Sequence, residues 1–212
     1  MNRDGLVAEL VGCGYIKSEA VKKAFLKVKR EEFLTDGRRG MAYIDEPLPI
    51  LSGQTISAPS MIAIMLEVAE LKPGMKVLEI GAGSGYNAAL IAEIVGQENV
   101  FTVERIPELV AFASRNLEKS GYRVKVVKCD GSLGWKESAP YDRIIVTAAA
   151  PKISKHWVEQ LKTGGLVIVP VGSRGIYQEL VVAKKNKDCS VTEKYHGGCA
   201  FVPLIGEEGW PG

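Results

Sequence analysis

Glycine stands at every second position of Gly81-Ala-Gly-Ser-Gly85, directly after the run Val77-Leu-Glu-Ile80 and before Tyr86-Asn87. Glycines there let the backbone turn tightly at a strand end and let a ligand approach where a Cβ would intrude. Glu104 ends a second short β-branched run, 104 − 81 = 23 positions beyond Gly81. A carboxylate with two oxygens matches the vicinal hydroxyls of a ribose, and an acid about 20 residues after such a turn is well placed to meet them. Asp130, closing a third run just before Gly131, can accept a hydrogen bond from an adenine amino group. Three strand ends are thus expected to converge on one adenosine, with Glu79, Gly81, Ala82, Gly83, Ser84, Gly85, Glu104, Arg105, Asp130 and Gly131 as its contacts.

The spacing separates the possible ligands. A dinucleotide turn needs G-x-G-x-x-G, whose last glycine would fall where Tyr86 stands. G-x-G-x-G after an acidic strand is the pattern of S-adenosylmethionine methyltransferases, and Glu79 supplies the acid. Enzymes of that class that alkylate exocyclic amines usually carry Asp/Asn-Pro-Pro-aromatic at the end of a later strand. Here that end reads Thr147-Ala-Ala-Ala-Pro151, which disfavours an amine acceptor; its small side chains either leave room for a bulky acceptor or serve tight strand-to-helix packing.

The elements that must position these residues alternate. Ser18 can cap a helix carrying Ala20, Val21, Ala24, Phe25 and Val28 on one stripe. From Asp36 to Ser60 the periodicity vanishes into Gly, Pro, Ser and Asp, a connection long enough to suggest a binding loop. Met61 to Leu71 reads as an apolar helix stopped by Lys72-Pro73-Gly74. Short β-branched runs follow at Lys76–Ile80, Val100–Val103, Val124–Val127, Arg143–Thr147 and Leu166–Pro170, with helical spacing over Tyr86–Val95 and Pro107–Ser120. Strand, helix, strand at this pitch predicts parallel pairing, helices on both faces and a crevice at the carboxyl ends of the strands. Tyr177–Ala183 and Ser190–Val202, with a polar turn at Lys184–Asp188, predict an antiparallel pair closing the sheet.

Composition narrows the alternatives. At 212 residues, 46% apolar and 25% charged, the chain is an ordinary folded domain, and 27 basic against 25 acidic residues leave no strong field for gripping nucleic acid or an anionic membrane. No apolar run is long enough to span a bilayer, and the charged start MNRDGLVAEL does not read as a signal peptide, so a cytoplasmic protein is expected. Cys13, Cys129, Cys189 and Cys199 form no C-x-x-C pair and the histidines are His156 and His196, so no metal site is expected.

The chain resembles the protein-L-isoaspartate O-methyltransferase family over nearly its whole length. The resemblance rests on Ala42-Tyr-Ile-Asp45 with Pro47-Leu-Pro-Ile50, Gln54-Thr-Ile-Ser-Ala-Pro59, the glycine turn, Tyr141-Asp142 with Ala148-Ala-Ala-Pro151, Gln160-Leu-Lys-Thr-Gly-Gly165 with Pro170-Val-Gly172, and Phe201-Val-Pro-Leu204. The Gln54–Pro59 segment is specific to this family and lies in the long loop. The resemblance implies an α/β fold with a doubly wound, mostly parallel sheet, Rossmann-like as in class I S-adenosylmethionine-dependent methyltransferases, with N-terminal helices and a C-terminal antiparallel strand pair. It implies one domain over 1–212: a helical and substrate-loop region at 1–72, a cofactor core at 73–172 and C-terminal strands at 173–212.

The implied reaction moves a methyl group from S-adenosyl-L-methionine to the free α-carboxylate of L-isoaspartyl residues in damaged proteins, leaving S-adenosyl-L-homocysteine. Ser57 is then the active-site residue, and Thr55, Ile56 and Ser57 join the cofactor contacts. Asp45, Pro47, Ala58, Pro59, Val202, Pro203 and Leu204 are expected to hold the substrate peptide, and a monomer is expected. The Ser57 hydroxyl could instead cap the helix that follows. Two departures stand out: Ser60 and Ile62 occupy positions where relatives often have His, and Ile205 stands where some have Thr. Methylation of a small molecule or RNA, nicotinamide chemistry, and a non-catalytic peptide-binding role are the competing readings of the residues alone.

Overall fold

A computed structural model describes residues 1–173 and 177–212. Helix α1 (Arg3–Gly12) starts where the Asn2 side chain accepts the Gly5 N–H, and α2 (Glu19–Lys27) where the Ser18 hydroxyl accepts the Val21 N–H. Both N-terminal helices bury one apolar stripe, including Leu6 and Leu10 on the first and Val21 and Phe25 on the second. The aperiodic stretch that follows holds two short 3₁₀ turns and a small antiparallel hairpin of β1 (Leu48–Pro49) and β2 (Thr55–Ile56). Helix α3 (Pro59–Val68) begins with proline at its first position, where no N–H is needed.

The alternation then appears as read: β3 (Val77–Ile80), α4 (Tyr86–Val95), β4 (Val100–Glu104), α5 (Pro107–Lys119), β5 (Lys125–Lys128), β6 (Tyr141–Val146), α6 (Lys155–Glu159), β7 (Leu161–Gly172), β8 (Gln178–Lys185) and β9 (Val191–Cys199). They form a seven-stranded sheet ordered β5-β4-β3-β6-β7-β8-β9. From β5 through β7 every pairing is parallel, and β8 runs antiparallel to both β7 and β9. The chain moves outward from β3 to β5 and then returns to β6. This reversal opens a crevice beyond the carboxyl end of β3.

The central strands are buried on both faces, and their side chains alternate between two cores. Val77, Val100, Ile145 and Ile168 join the core under α1 to α4; Leu78, Ile80, Val103, Ile144 and Val146 join the other. The two faces are covered unequally, which the periodicity does not reveal. The second face carries the five-residue α6 and two 3₁₀ turns between β5 and β6, built around Trp135, Tyr141 and Trp157. Side chains satisfy that irregular backbone: Gln160 accepts the Trp135 N–H and donates to the Leu133 carbonyl, and the Tyr141 hydroxyl donates to the Trp135 carbonyl.

Several boundaries differ from expectation by one to three residues, as in α3, which runs Pro59–Val68 instead of Met61–Leu71, and two further differences involve strand pairing. Strand β7 begins at Leu161, five residues early, because Tyr141 pairs with Leu161 before a register shift. Strand β9 stops at Cys199 instead of Val202. Val202 to Leu204 leave the sheet and pair with Ala149, which donates to the Val202 carbonyl at 2.8 Å and accepts from the Leu204 N–H at 2.8 Å. Among the described residues, no helix is long and apolar enough to cross a membrane.

Candidate active site

A cleft of about 400 Å³, the size of a cofactor site, opens at the carboxyl ends of β3, β4 and β6. Its base is the glycine turn. Gly81 has φ +98°, and a Cβ there would fall 2.4 Å from the Thr147 hydroxyl, so neither the backbone nor the space admits a side chain. Thr147, at the end of β6, bonds back to the carbonyls of Ile80 and Gly81 at 3.1 and 2.7 Å and locks the turn. Gly81 and Ala82 donate to the Val103 carbonyl across the sheet, at 2.9 and 3.1 Å. Gly85 serves helix packing, since a Cβ there would meet Leu117 and the Ala113 carbonyl of α5.

The three acids have three different environments. Glu104 is 8% exposed and held by backbone donors: Arg105 at 2.8 Å, Ile106 at 3.0 Å and Gly83 at 3.2 Å. Of about four lone-pair sites on a carboxylate these donors take three, which leaves one for a hydroxyl donor in the cleft that Glu104 lines. Glu79 pairs in register with Thr102 on β4, whose hydroxyl donates to it at 2.5 Å, while the Asn87 amide of α4 donates to its other oxygen at 2.8 Å. Full burial pushes its carboxyl up to about 7 against these two bonds.

Asp130 stands apart from the other two acids. Its carboxylate accepts the N–H groups of Ser132 at 2.9 Å and Glu207 at 2.8 Å, and the Cβ of an added side chain at Gly206 would lie 2.1 Å from it. It therefore closes the C-terminal segment onto the turn after β5 and is not among the residues lining the cleft, whereas Gly131 is. Those donors hold its carboxyl below the usual range despite partial burial.

The loop residues divide in the same way. Gln54, Thr55, Ile56 and Ser57 line the cleft, as do Val202, Pro203, Leu204 and Ile205. Asp45 accepts the Ser60 N–H at 2.8 Å and caps α3, whose N-cap residue Ala58 makes no side-chain cap. Capping is therefore not the work of Ser57, and no described residue hydrogen-bonds its hydroxyl. Asp45, Pro47, Ala58 and Pro59 shape the loop from outside the cleft lining. Of the expected cofactor residues, Glu79, Gly81, Ala82, Gly83, Ser84, Glu104, Arg105 and Gly131 line it, while Gly85 and Asp130 do not.

Sequence reasoning missed several lining residues. Ile106 and Leu109 at the start of α5 offer an apolar wall, and Ile62 and Met65 another on α3. Their helical spacing is indistinguishable in sequence from ordinary core spacing.

The Protein-L-isoaspartate(D-aspartate) O-methyltransferase family profile matches residues 1–209. The chain belongs to this family. It is 61% identical over 198 residues to the Protein-L-isoaspartate O-methyltransferase of Pyrococcus horikoshii, covering 93% of this chain and 90% of that one. A solved protein-L-isoaspartate O-methyltransferase superposes with a TM-score of 0.89 at 36% identity, over 98% of this chain and 67% of that chain. A solved Plasmodium falciparum structure in complex with S-adenosyl-L-homocysteine superposes at 0.85 with 27% identity, over 97% and 99% of the two chains.

The family's cofactor, S-adenosyl-L-methionine, suits what this cleft offers. Gly81 and Gly83 line the cleft without side chains, the anchored Glu104 carboxylate keeps an acceptor site for a ribose hydroxyl, and Ile106 and Leu109 line it with apolar side chains that suit a purine.

Proposed function

We propose that this chain methylates the free α-carboxylate of L-isoaspartyl residues in damaged proteins, with S-adenosyl-L-methionine held between the Gly81 turn and Glu104. The observation that carries the reading is Ser57: this residue, whose hydroxyl has no partner among the described residues, lines the same cleft as the glycine turn. Bound S-adenosyl-L-methionine supplies an electrophilic methyl group on a sulfonium.

An acceptor carboxylate with a pKa near 4 is already ionised at neutral pH, so the chain need not provide a base. What it must do is place the acceptor and keep water out. Ser57 donates its hydroxyl hydrogen to the acceptor carboxylate and orients it. Thr55 to Ser57 on one side and Val202 to Leu204 on the other flank an extended peptide, held mainly through main-chain groups, so side-chain selectivity is shallow. Asp45, Pro47, Ala58 and Pro59 fix the loop that presents Ser57. Glu79, Gly81, Ala82, Gly83, Ser84, Arg105 and Gly131 complete the cofactor side. Asp130 is assigned to closing the C-terminal segment over that side.

The reading assigns the protein to the cytoplasm and to action as a monomer. The test is methyl transfer to paired peptides that differ only in an aspartyl or isoaspartyl linkage. Transfer to the isoaspartyl peptide alone, with methanol released from the product in mild base, is the expected result. Equal labelling of both peptides, or a base-stable product, would refute it.

A further inference from the structure

Arg30 sits in the 3₁₀ turn Arg30–Phe33 and is 0% exposed. One guanidinium nitrogen, Nη2, donates to the Ser57 carbonyl at 2.9 Å. Nε and Nη1 are buried with no hydrogen-bond partner among the described residues. The guanidinium lies 5.1 Å from the centre of the Tyr86 ring, and no carboxylate forms an ion pair with it among the described residues. Burial lowers its pKa to about 10 even though Tyr86 and Asp45 pull the other way.

A buried cation with one good hydrogen bond and two idle donors is a poor way to stabilise a fold, because desolvation outweighs what it gains. An apolar side chain of similar volume would serve stability as well or better. What Arg30 does instead is specific. It fixes the one carbonyl between the end of β2 and the N-cap of α3, where the chain turns from strand to helix. Asp45 holds the same turn three residues on, through the Ser60 N–H. With the carbonyl of residue 57 pinned to the interior, rotation about the Ser57 Cα–C bond is restrained, which limits how Ser57 presents its side chain to the cleft it lines.

Resting on the functional reading above, we propose that Arg30 is a positioning residue for methyl transfer: it acts through Ser57, by holding the Ser57 carbonyl so that the hydroxyl meets the acceptor carboxylate.

The test is a double-mutant cycle of Arg30→Met and Ser57→Ala, read as kcat on an isoaspartyl peptide, with melting temperature and S-adenosyl-L-homocysteine affinity measured alongside. Arg30→Met should lower kcat by about 10- to 100-fold in the native background but by less than about threefold when Ser57 is already Ala, as expected when one residue works through another. Melting temperature should hold or rise, and affinity for S-adenosyl-L-homocysteine should change little. The same factor in both backgrounds, or an unchanged kcat in the native one, overturns the proposal. If Arg30→Met does not fold, Arg30→Lys keeps a cation and a donor; its smaller loss of kcat should likewise vanish in Ser57→Ala, and persistence there overturns the proposal. Should the native chain bind S-adenosyl-L-homocysteine yet methylate no isoaspartyl peptide, the functional reading falls and the role of Arg30 with it; an additive cycle in an active enzyme removes Arg30 alone.

Discussion

Glu104 accepts the Gly83 N–H at 3.2 Å and so ties the end of β4 to the middle of the turn after β3. Its other oxygen takes the Arg105 and Ile106 N–H groups, so the carboxylate is set before any ligand arrives. Glu104→Gln places an amide donor among backbone donors and removes the charge. It is expected to weaken S-adenosyl-L-homocysteine by about 10- to 100-fold, the range for a charge-assisted hydrogen bond. Calorimetry with 5′-methylthioadenosine should show the same factor, because both ligands carry the ribose. A loss confined to S-adenosyl-L-homocysteine would move Glu104 away from the sugar.

Gly81→Ala should destabilise the chain. The φ of +98° alone costs on the order of 1–3 kcal/mol for a residue with a Cβ, and the added carbon would lie 2.4 Å from the Thr147 hydroxyl. Adding Thr147→Ala removes the collision but not the backbone strain. Denaturant unfolding of the single and double variants should therefore show the double less destabilised than the sum of the two. Simple additivity would mean that the turn relaxes without pressing on Thr147.

Glu79 makes stability depend on pH. Because burial raises its carboxyl from 4.5 to about 7, the folded chain keeps a proton that the unfolded chain has released between those values. The contribution is full below about 4.5 and declines as pH rises to about 7. Glu79→Gln has no such proton to lose, and its amide can donate to the Asn87 carbonyl oxygen, which has no partner among the described residues. Urea unfolding without cofactor should show the variant gaining on the native chain between pH 5 and pH 8. A difference that stays constant with pH would contradict the assignment.

The Ser52 hydroxyl donates to Glu108 at 2.5 Å, joining the β1–β2 hairpin to the first turn of α5. Ser52 has φ 55°, and Ile50 in the same hairpin packs against Gly83, so the hairpin lies over the cofactor side of the cleft. Glu108→Ala removes one exposed hydrogen bond, worth about 0.5–1.5 kcal/mol. Stopped-flow measurement should find S-adenosyl-L-homocysteine released about two- to tenfold faster, with little change in melting temperature. An unchanged release rate would show that the hairpin does not retain the ligand.

Much of this architecture was legible in the residues, for identifiable reasons. Val77–Ile80 is buried at every position, so its apolar run could only be an interior strand, and Tyr86–Val95 starts and stops at glycines on both sides. The Glu79–Thr102 pairing was not legible, because it depends on the register of two parallel strands. Nor was the fate of Asp130: an acid at a strand end reads the same whether it faces a ligand or the N–H groups of a segment 77 positions away. In sequence Arg30 is one charge among several in Lys27-Val-Lys-Arg-Glu-Glu32, and only the fold brings it to the Ser57 carbonyl. Ile62 and Met65 stand three residues apart, as core residues do, and they belong to the core while also lining the cleft.

Trp157 is completely buried on the far side of the sheet, and its indole N–H donates at 2.9 Å to the carbonyl of Gly131, whose residue forms part of the cleft wall. One fluorophore is thereby wired to the ligand side through a single peptide group. Filling the cleft is expected to perturb that carbonyl and shift the Trp157 emission, which replacing Trp135 and Trp210 by Phe would isolate as an unlabelled optical titration of occupancy.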